Sequence, residues 1–153
     1  MNILVIDGQG GRIGKLVIEG IRNAGVSAHI TAVGTNSLAT SAMLKAGADA
    51  GATGENSVAV CSRDCDVIIG PIGIVVADSL LGEVTDKMAV AVGRSRAKKL
   101  LIPVNQCQNF VVGVPDISMS ALIGSVIEEL KKQALVATRK RSFYEDIYLH
   151  PGL

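Results

Sequence analysis

The chain has 153 residues and a net charge of +1, and 48% of its residues are hydrophobic, 19% charged and 3% aromatic. This composition predicts one folded domain with an aliphatic core, as in parallel α/β proteins, and the nearly balanced charge argues against nucleic-acid binding. The apolar pattern starts at residue 2 without a secretory signal, and no apolar stretch is as long as a membrane span. We therefore expect a cytoplasmic protein without membrane or nucleic-acid partners.

The most informative feature is a glycine loop, Gly8–Gly14, which follows an apolar run and Asp7. This order predicts a strand, a tight loop and a helix, although the third glycine of a strict G-x-G-x-x-G pattern would fall on Ile13. Glycines let the backbone approach a ligand, and the start of a helix directs free N–H groups toward an anion. We predict that a phosphate group is bound by the loop residues Gly8, Gln9, Gly10, Gly11, Arg12, Ile13 and Gly14.

Helical and strand periodicities then alternate along the chain. The first helix ends before Gly25, and a second helix begins after Asn36, whose side chain suits the N-cap position. A weak edge strand is expected within residues 48–56, and a later helix is capped by Thr85. The other predicted strands cover residues 28–33, 65–69, 99–104 and 110–114, and the other predicted helices cover residues 58–62 and 119–134.

Strands that alternate with helices predict a doubly wound, mostly parallel, Rossmann-like α/β sheet in three layers. The working strand order is 3-2-1-4-5, with residues 110–114 as a further strand at the far edge. One domain is expected over residues 1–138 and a C-terminal arm over residues 139–153. Ligands of such sheets bind beyond the carboxyl ends of the strands, where the strand order reverses.

Two further segments follow predicted strands and reach the same edge of the sheet: Thr35 with Asn36, and Gly70, Pro71, Ile72 and Gly73. Small and polar residues leave room there for a dinucleotide, although turn chemistry alone also favours them. The second strand is followed neither by the acid that usually holds the ribose of NAD nor by an arginine for the 2′-phosphate of NADP. If NAD(P) or another nucleotide binds, Thr35 and Asn36 hydrogen-bond its ribose as neutral groups.

Few residues suit catalysis. Asp7, Glu55 and Cys107 are the candidates for an acid, a base or a nucleophile, and bracing of the loop amides is the alternative role of Asp7. Cys61, Cys65 and Cys107 lack the C-x-x-C spacing of metal and redox sites. We therefore predict free thiols and no metal site.

The C-terminal arm carries three of the four aromatic residues, Phe143, Tyr144 and Tyr148. Aromatic side chains gathered in a terminal segment usually dock on another surface. We predict a homodimer formed by the last helix and the arm, with a tail folded back on its own subunit as the alternative.

Three motifs, VIDGQGG at residues 5–11, GTNSLATSAM at residues 34–43 and GPIGI at residues 70–74, resemble a bacterial family of small proteins described as a domain of unknown function. The resemblance covers about residues 1–135 and implies a single unit without an established activity. The loop alone is also similar to the cofactor loop of dihydrodipicolinate reductase. That similarity implies that the pyrophosphate of a nicotinamide cofactor is surrounded by Gly8, Gly10, Gly11, Arg12 and Gly14.

These features favour a module that binds a dinucleotide or another phosphate-bearing small molecule and acts as a sensor or accessory subunit. A small enzyme, either an NAD(P)-dependent oxidoreductase or a nucleotide-using enzyme, is the first alternative, with its active site in the same cleft. A structural or partner-binding protein with an empty cleft is the second alternative.

Overall fold

The computed structural model describes residues 1–104 and 109–149, with side chains as far as residue 141. Its elements alternate as the sequence predicts. The strands are β1 (Asn2–Asp7), β2 (His29–Gly34), β3 (Ala50–Thr53), β4 (Val67–Pro71) and β5 (Lys98–Ile102). The helices are α1 (Arg12–Asn23), α2 (Ser37–Lys45), α3 (Glu55–Cys61), α4 (Asp86–Arg94) and α5 (Met119–Leu149), and a short 3-10 helix (Ile72–Val75) follows β4.

All pairs in the five-stranded sheet are parallel, and the strand order is β3-β2-β1-β4-β5. The structure thus confirms the predicted Rossmann-like order 3-2-1-4-5. It also confirms β3 as a short strand at the edge of the sheet.

Both faces of the sheet are buried, because successive side chains of a strand point to opposite faces. In β1, Ile3 and Val5 pack against α1, α2 and α5, whereas Leu4 and Ile6 pack against α3 and α4. The result is the expected arrangement of three layers, with helices on both sides of the sheet.

Side-chain caps fix where two helices begin at the carboxyl edge of the sheet. The Asn36 side chain accepts a hydrogen bond from the Ala39 amide (2.9 Å), and Thr85 Oγ1 accepts one from the Met88 amide (3.2 Å). Such bonds satisfy amide groups that have no partner in the first turn of a helix. Both predicted caps are therefore confirmed.

The predicted strand at residues 110–114 is wrong. The chain turns there, with a hydrogen bond from the Val114 amide to the Val111 carbonyl (3.3 Å) and with Gly113 at a φ of +82°. Phe110 and Val112 are 76% and 86% exposed, so this apolar run has no sheet face to cover it. Strand β5 is consequently an edge of the described sheet.

Helix α5 extends further than its apolar spacing predicts and runs without a break past residue 138 to Leu149. The proposed division of the chain at that residue therefore falls inside one helix. None of the helices in the described part of the chain combines the length and apolarity that crossing a membrane requires.

Candidate ligand-binding cleft

A cavity lies at the carboxyl end of the sheet, where β1 and β4 run side by side. After β1 the chain turns to α1 on one face, whereas after β4 it turns to α4 on the other face. The direction of winding reverses here, and such switch points are where open α/β sheets bind ligands. The cavity measures about 180 Å³ and is lined by Asp7, Gly8, Gln9, Gly10, Arg12 and Ile13 of the loop and by Pro71, Leu80, Val104 and Met119 opposite.

Three of the four glycines in the loop are explained by contacts inside the protein. A Cβ at Gly11 would lie 2.8 Å from the backbone of Ala39, and the φ of +69° at this residue also favours glycine. A Cβ at Gly8 or Gly14 would approach a neighbouring side chain to 2.7 or 2.4 Å, respectively. At Gly10, by contrast, no atom of the described residues beyond its chain neighbours would lie within 4 Å of a Cβ. Gly10 therefore faces open space that packing does not require.

Asp7 holds the loop onto the start of α1. Its two carboxylate oxygens accept hydrogen bonds from the amides of Gly8 (2.8 Å) and Gly14 (2.7 Å), and the side chain is buried. Burial raises the pKa of Asp7, and the hydrogen bonds from Gly14, Gly8 and Ile13 oppose this rise only in part. The bracing role considered for Asp7 is therefore the one that its contacts support.

A second carboxylate, that of Glu83, lies on the other side of the loop. Its Oε2 atom accepts hydrogen bonds from the Gln9 amide (2.9 Å), Thr35 Oγ1 (2.5 Å) and Asn36 Nδ2 (2.9 Å). Burial opposes ionisation of this half-buried group, but the three hydrogen bonds outweigh it and lower the pKa of Glu83. Both side chains expected to hold a ribose, Thr35 and Asn36, thus bind a carboxylate of the same chain.

Glu83 is positioned by a strained segment, residues 76–84, between the 3-10 helix and α4. Asp78, Leu80 and Leu81 all have left-handed backbone conformations, with φ of 63°, 54° and 57°. Each such residue costs about 1–2 kcal/mol, which the contacts of the segment must offset. Leu80 and Val84 supply these contacts, because both are buried in the core on the α4 side of the sheet.

Some donors of the loop have no acceptor among the residues that the structure describes. The amides of Gly10 and Arg12 make no hydrogen bond there, and the exposed Arg12 guanidinium makes no ion pair there. These groups line the cavity at the positive end of the α1 dipole. The free capacity of the loop for an anion is therefore concentrated at Gly10 and Arg12.

The other predicted residues lie in varied places. Pro71 lines the cavity, whereas Gly70 packs against the Ile6 carbonyl in the sheet and Gly73 faces Ser79. Ile72 begins the 3-10 helix and is not among the described residues that line the cavity.

The catalytic candidates other than Asp7 gain no described place in the cleft. Glu55 begins α3 and pairs with Lys87 at 3.6 Å, away from the cavity lining. Cys107 lies outside the described residues. Cys61 and Cys65 are free and partly buried, and within the described part of the chain no cluster of three metal-ligating side chains is present.

Sequence reasoning missed Glu83 and Leu80. The run Leu80-Leu81-Gly82-Glu83 looks like an ordinary turn before a capped helix, and nothing in it indicates left-handed leucines or a carboxylate directed at a loop more than 70 residues earlier. The only available signal was position, because the run follows β4 and so lies at the carboxyl edge of the sheet.

The parallel sheet and its switch-point cavity define a Rossmann-like α/β protein. The chain belongs to the family DUF3842, described as a domain of unknown function, whose model matches residues 2–135. The resemblance stated from the sequence is thereby confirmed. A comparison with functionally described proteins finds no match.

One solved structure that resembles the chain is a dodecameric FMN-dependent UbiX-like decarboxylase from Escherichia coli O157:H7. The two chains are 14% identical, the alignment covers 87% of this chain and 93% of that chain, and the TM-score is 0.42.

Proposed function

We propose that the cleft binds a phosphate-bearing small molecule of the nucleotide class and that the protein acts as a sensor or accessory subunit. The observation that carries this proposal is the open space at Gly10, the one loop glycine that internal packing does not require. Glycine at such a position lets a ligand approach the backbone closely.

The charged and polar groups around Gly10 support the proposal that the ligand is an anion. Arg12 is the only cationic residue among the described residues that line the cavity, and a guanidinium can clamp a phosphate through two hydrogen bonds. The amide of Gly10 and the start of α1 add donors of the kind that bind phosphate in other α/β proteins.

The volume of the cavity limits how much of the ligand is enclosed. Pockets that enclose a drug-sized ligand usually measure about 300–1,000 Å³, whereas this cavity measures about 180 Å³. We propose that it encloses a phosphate with the adjoining part of a nucleotide, while the base lies on the surface. Both carboxylate oxygens of Asp7 accept hydrogen bonds from loop amides. These contacts support a binding function of the cleft over acid–base catalysis by Asp7.

A thermal-shift series with NAD, NADP, ATP, GTP, AMP, FMN and coenzyme A tests the proposal. A ligand that binds only the folded state raises Tm, by an amount that grows with the logarithm of its concentration relative to its dissociation constant. We expect a saturable rise with at least one of these compounds, and no rise with any of them would contradict the proposal.

The decisive variant is Gly10→Ala. A methyl group at Gly10 meets no described atom, so stability should change by less than about 0.5 kcal/mol, as is usual for surface changes. The same methyl group would stand between ligand and backbone, and we expect the dissociation constant for the best compound to rise at least about tenfold.

Gly93→Ala is the matched control for this variant. Gly93 lies in α4, and a Cβ there also meets nothing within 4 Å among the described residues. This control should bind the compound as the wild type does. Equal affinity of all three proteins would remove Gly10 from the site.

The homodimer remains a separate proposal. Leu135 and Val136 in the second half of α5 are 62% and 49% exposed, which gives this helix an uncovered apolar surface. Deletion of residues 143–153 should lower the mass of the particle in solution, measured by light scattering, from that of a dimer to that of a monomer. An unchanged mass would exclude that segment from the interface.

A further inference from the structure

The structure assigns a second anion subsite to the Gln9 amide, Thr35 and Asn36, in which Glu83 is an internal occupant that a ligand displaces. This inference rests on the proposed function for the identity of the ligand, whereas the subsite itself rests on the contacts of Glu83.

Three donors from two separate loops converge on one oxygen atom, Glu83 Oε2. Two of the three donor residues make contacts that do not involve Glu83: Asn36 caps α2 and donates to the Gln9 carbonyl (2.8 Å). Gln9 itself has a left-handed φ of 49°, a strained conformation of the kind that gathers at ligand sites. The subsite is therefore built into the loop and does not depend on Glu83 for its shape.

Glu83 is an exchangeable occupant because its partners are all uncharged. Its described contacts include no cation, and the nearby Asp7 carboxylate repels it. Glu83 is only half-buried, and the adjacent Val84 anchors the backbone in the core. Rotation of the side chain therefore frees the subsite without moving the segment.

The spacing of the two subsites identifies the class of ligand. The Gln9 amide belongs to the Glu83 subsite, and the next amide, that of Gly10, has no described acceptor. The Cα atoms of consecutive residues are about 3.8 Å apart, so two anionic groups bound at neighbouring amides would lie about as far apart as the two phosphates of a diphosphate. We infer a ligand with two adjacent anionic groups, one at Gly10 and Arg12 and the other in place of Glu83.

The first experiment tests the subsite by chemical rescue of Glu83→Ala. Sodium acetate supplies the missing carboxylate, and we expect it to raise the Tm of this variant by several degrees above the value in sodium chloride of equal ionic strength. Wild type and the matched control Glu128→Ala, which removes an exposed carboxylate from α5, should respond alike to both salts. Adding Thr35→Val to Glu83→Ala should abolish the rescue. Equal effects of acetate and chloride on Glu83→Ala would overturn the assignment.

The second experiment measures the affinity for inorganic pyrophosphate by calorimetry. The variant Glu83→Ala lacks the carboxylate that competes with the ligand, so it should bind pyrophosphate about ten times more tightly than the wild type. This gain corresponds to the net contribution of about one hydrogen bond to a charged group. Glu83→Gln keeps a neutral acceptor in the subsite and should give an intermediate affinity. If Glu83→Ala does not fold, Glu83→Gln against Glu128→Gln decides the question, and equal affinities would overturn the inference.

The two experiments separate the subsite from the proposed function. Acetate rescue without pyrophosphate or nucleotide binding to any variant would leave the subsite standing and refute the function. Ligand binding that is equal in all variants, without acetate rescue, would do the reverse.

Discussion

Each end of the sheet holds a carboxylate with one oxygen that accepts two or three hydrogen bonds, but the partners differ. At the amino end, Asp49 Oδ2 accepts from the Ile30 amide (2.7 Å) and from Arg22 Nη2 (2.7 Å). At the carboxyl end, Glu83 Oε2 accepts from one amide and two uncharged side chains. The hydrogen bonds lower the pKa of both groups: for Asp49 the Ile30 amide has the largest effect, and for Glu83 the bonds act against burial.

The different partners make Asp49 a structural contact and Glu83 an exchangeable one. Arg22 binds Asp49 and also donates to the carbonyls of Gly47 (2.9 Å) and Ala28 (3.1 Å), so the amino end is closed by a charged network. Glu83 has no such cation among the described residues, and it binds the amide of Gln9, a residue that lines the open cavity. A bound anion can therefore replace Glu83, whereas the exchange of Asp49 would leave a cation without its partner.

The largest effect on stability is expected at Asp7, which lies at the carboxyl end but is not exchangeable. Asp7→Asn would turn an N–H₂ group toward the amide of Gly8 or Gly14 and leave a buried donor without an acceptor. We expect a loss of about 2–3 kcal/mol in the free energy of unfolding, measured in urea. A loss below that of Glu83→Gln would contradict the bracing role.

Arg22→Ala should have the next largest effect. It removes the partner of Asp49 and two bonds to carbonyls, and because Arg22 is partly exposed we expect a loss of about 1–2 kcal/mol. Pyrophosphate affinity should not change. Arg63→Ala, which removes an exposed arginine without a described partner, is the control and should unfold as the wild type does.

Glu83→Gln should cost less than about 1 kcal/mol, because the amide oxygen of Gln can accept the same donors as a weaker, neutral acceptor. Urea unfolding of this variant beside Glu128→Gln measures the difference. A loss as large as that of Arg22→Ala would mean that Glu83 is a structural contact like Asp49. It would contradict the proposal that a ligand can replace Glu83.

The smallest effect is the dependence of the Glu83 contribution on pH. Its folded pKa lies below its ordinary value of 4.5, so its stabilising contribution is present above that value and is lost as pH falls through the folded pKa. The stability difference between wild type and Glu83→Gln should therefore shrink in acid. Asp7 has the opposite sign: its pKa is raised above 3.8, so its contribution declines as pH rises through the shifted range. A difference that grows in acid would contradict the assignment for Glu83.

Local patterns predicted most of the fold. The caps at Asn36 and Thr85 and the glycine loop predicted where helices begin. The alternation of strands and helices predicted the parallel sheet and its strand order. The run at residues 110–114 misled because β-branched residues favour strands only where a sheet face covers them. Whether a face is available depends on packing that no local pattern records.

The cleft was predictable only in part. Its position followed from the loop and from the strand order, but the occupation of Thr35 and Asn36 by Glu83 did not. That contact depends on three left-handed residues other than glycine in the segment 76–84, and two of them are leucines, which local propensity would not place there. Tertiary contacts of Leu80 and Val84 override the local preference.

The most direct test is a ¹H–¹⁵N NMR titration of the wild-type protein with inorganic pyrophosphate. We expect saturable shifts of the Gly10 and Arg12 amide signals, together with a shift at Gln9 as its amide exchanges Glu83 for the ligand. Signals at Ile30 and Asp49, at the other end of the sheet, should stay in place. Shifts confined to exposed lysines and arginines elsewhere, with Gln9, Gly10 and Arg12 unmoved at saturation, would contradict the proposal.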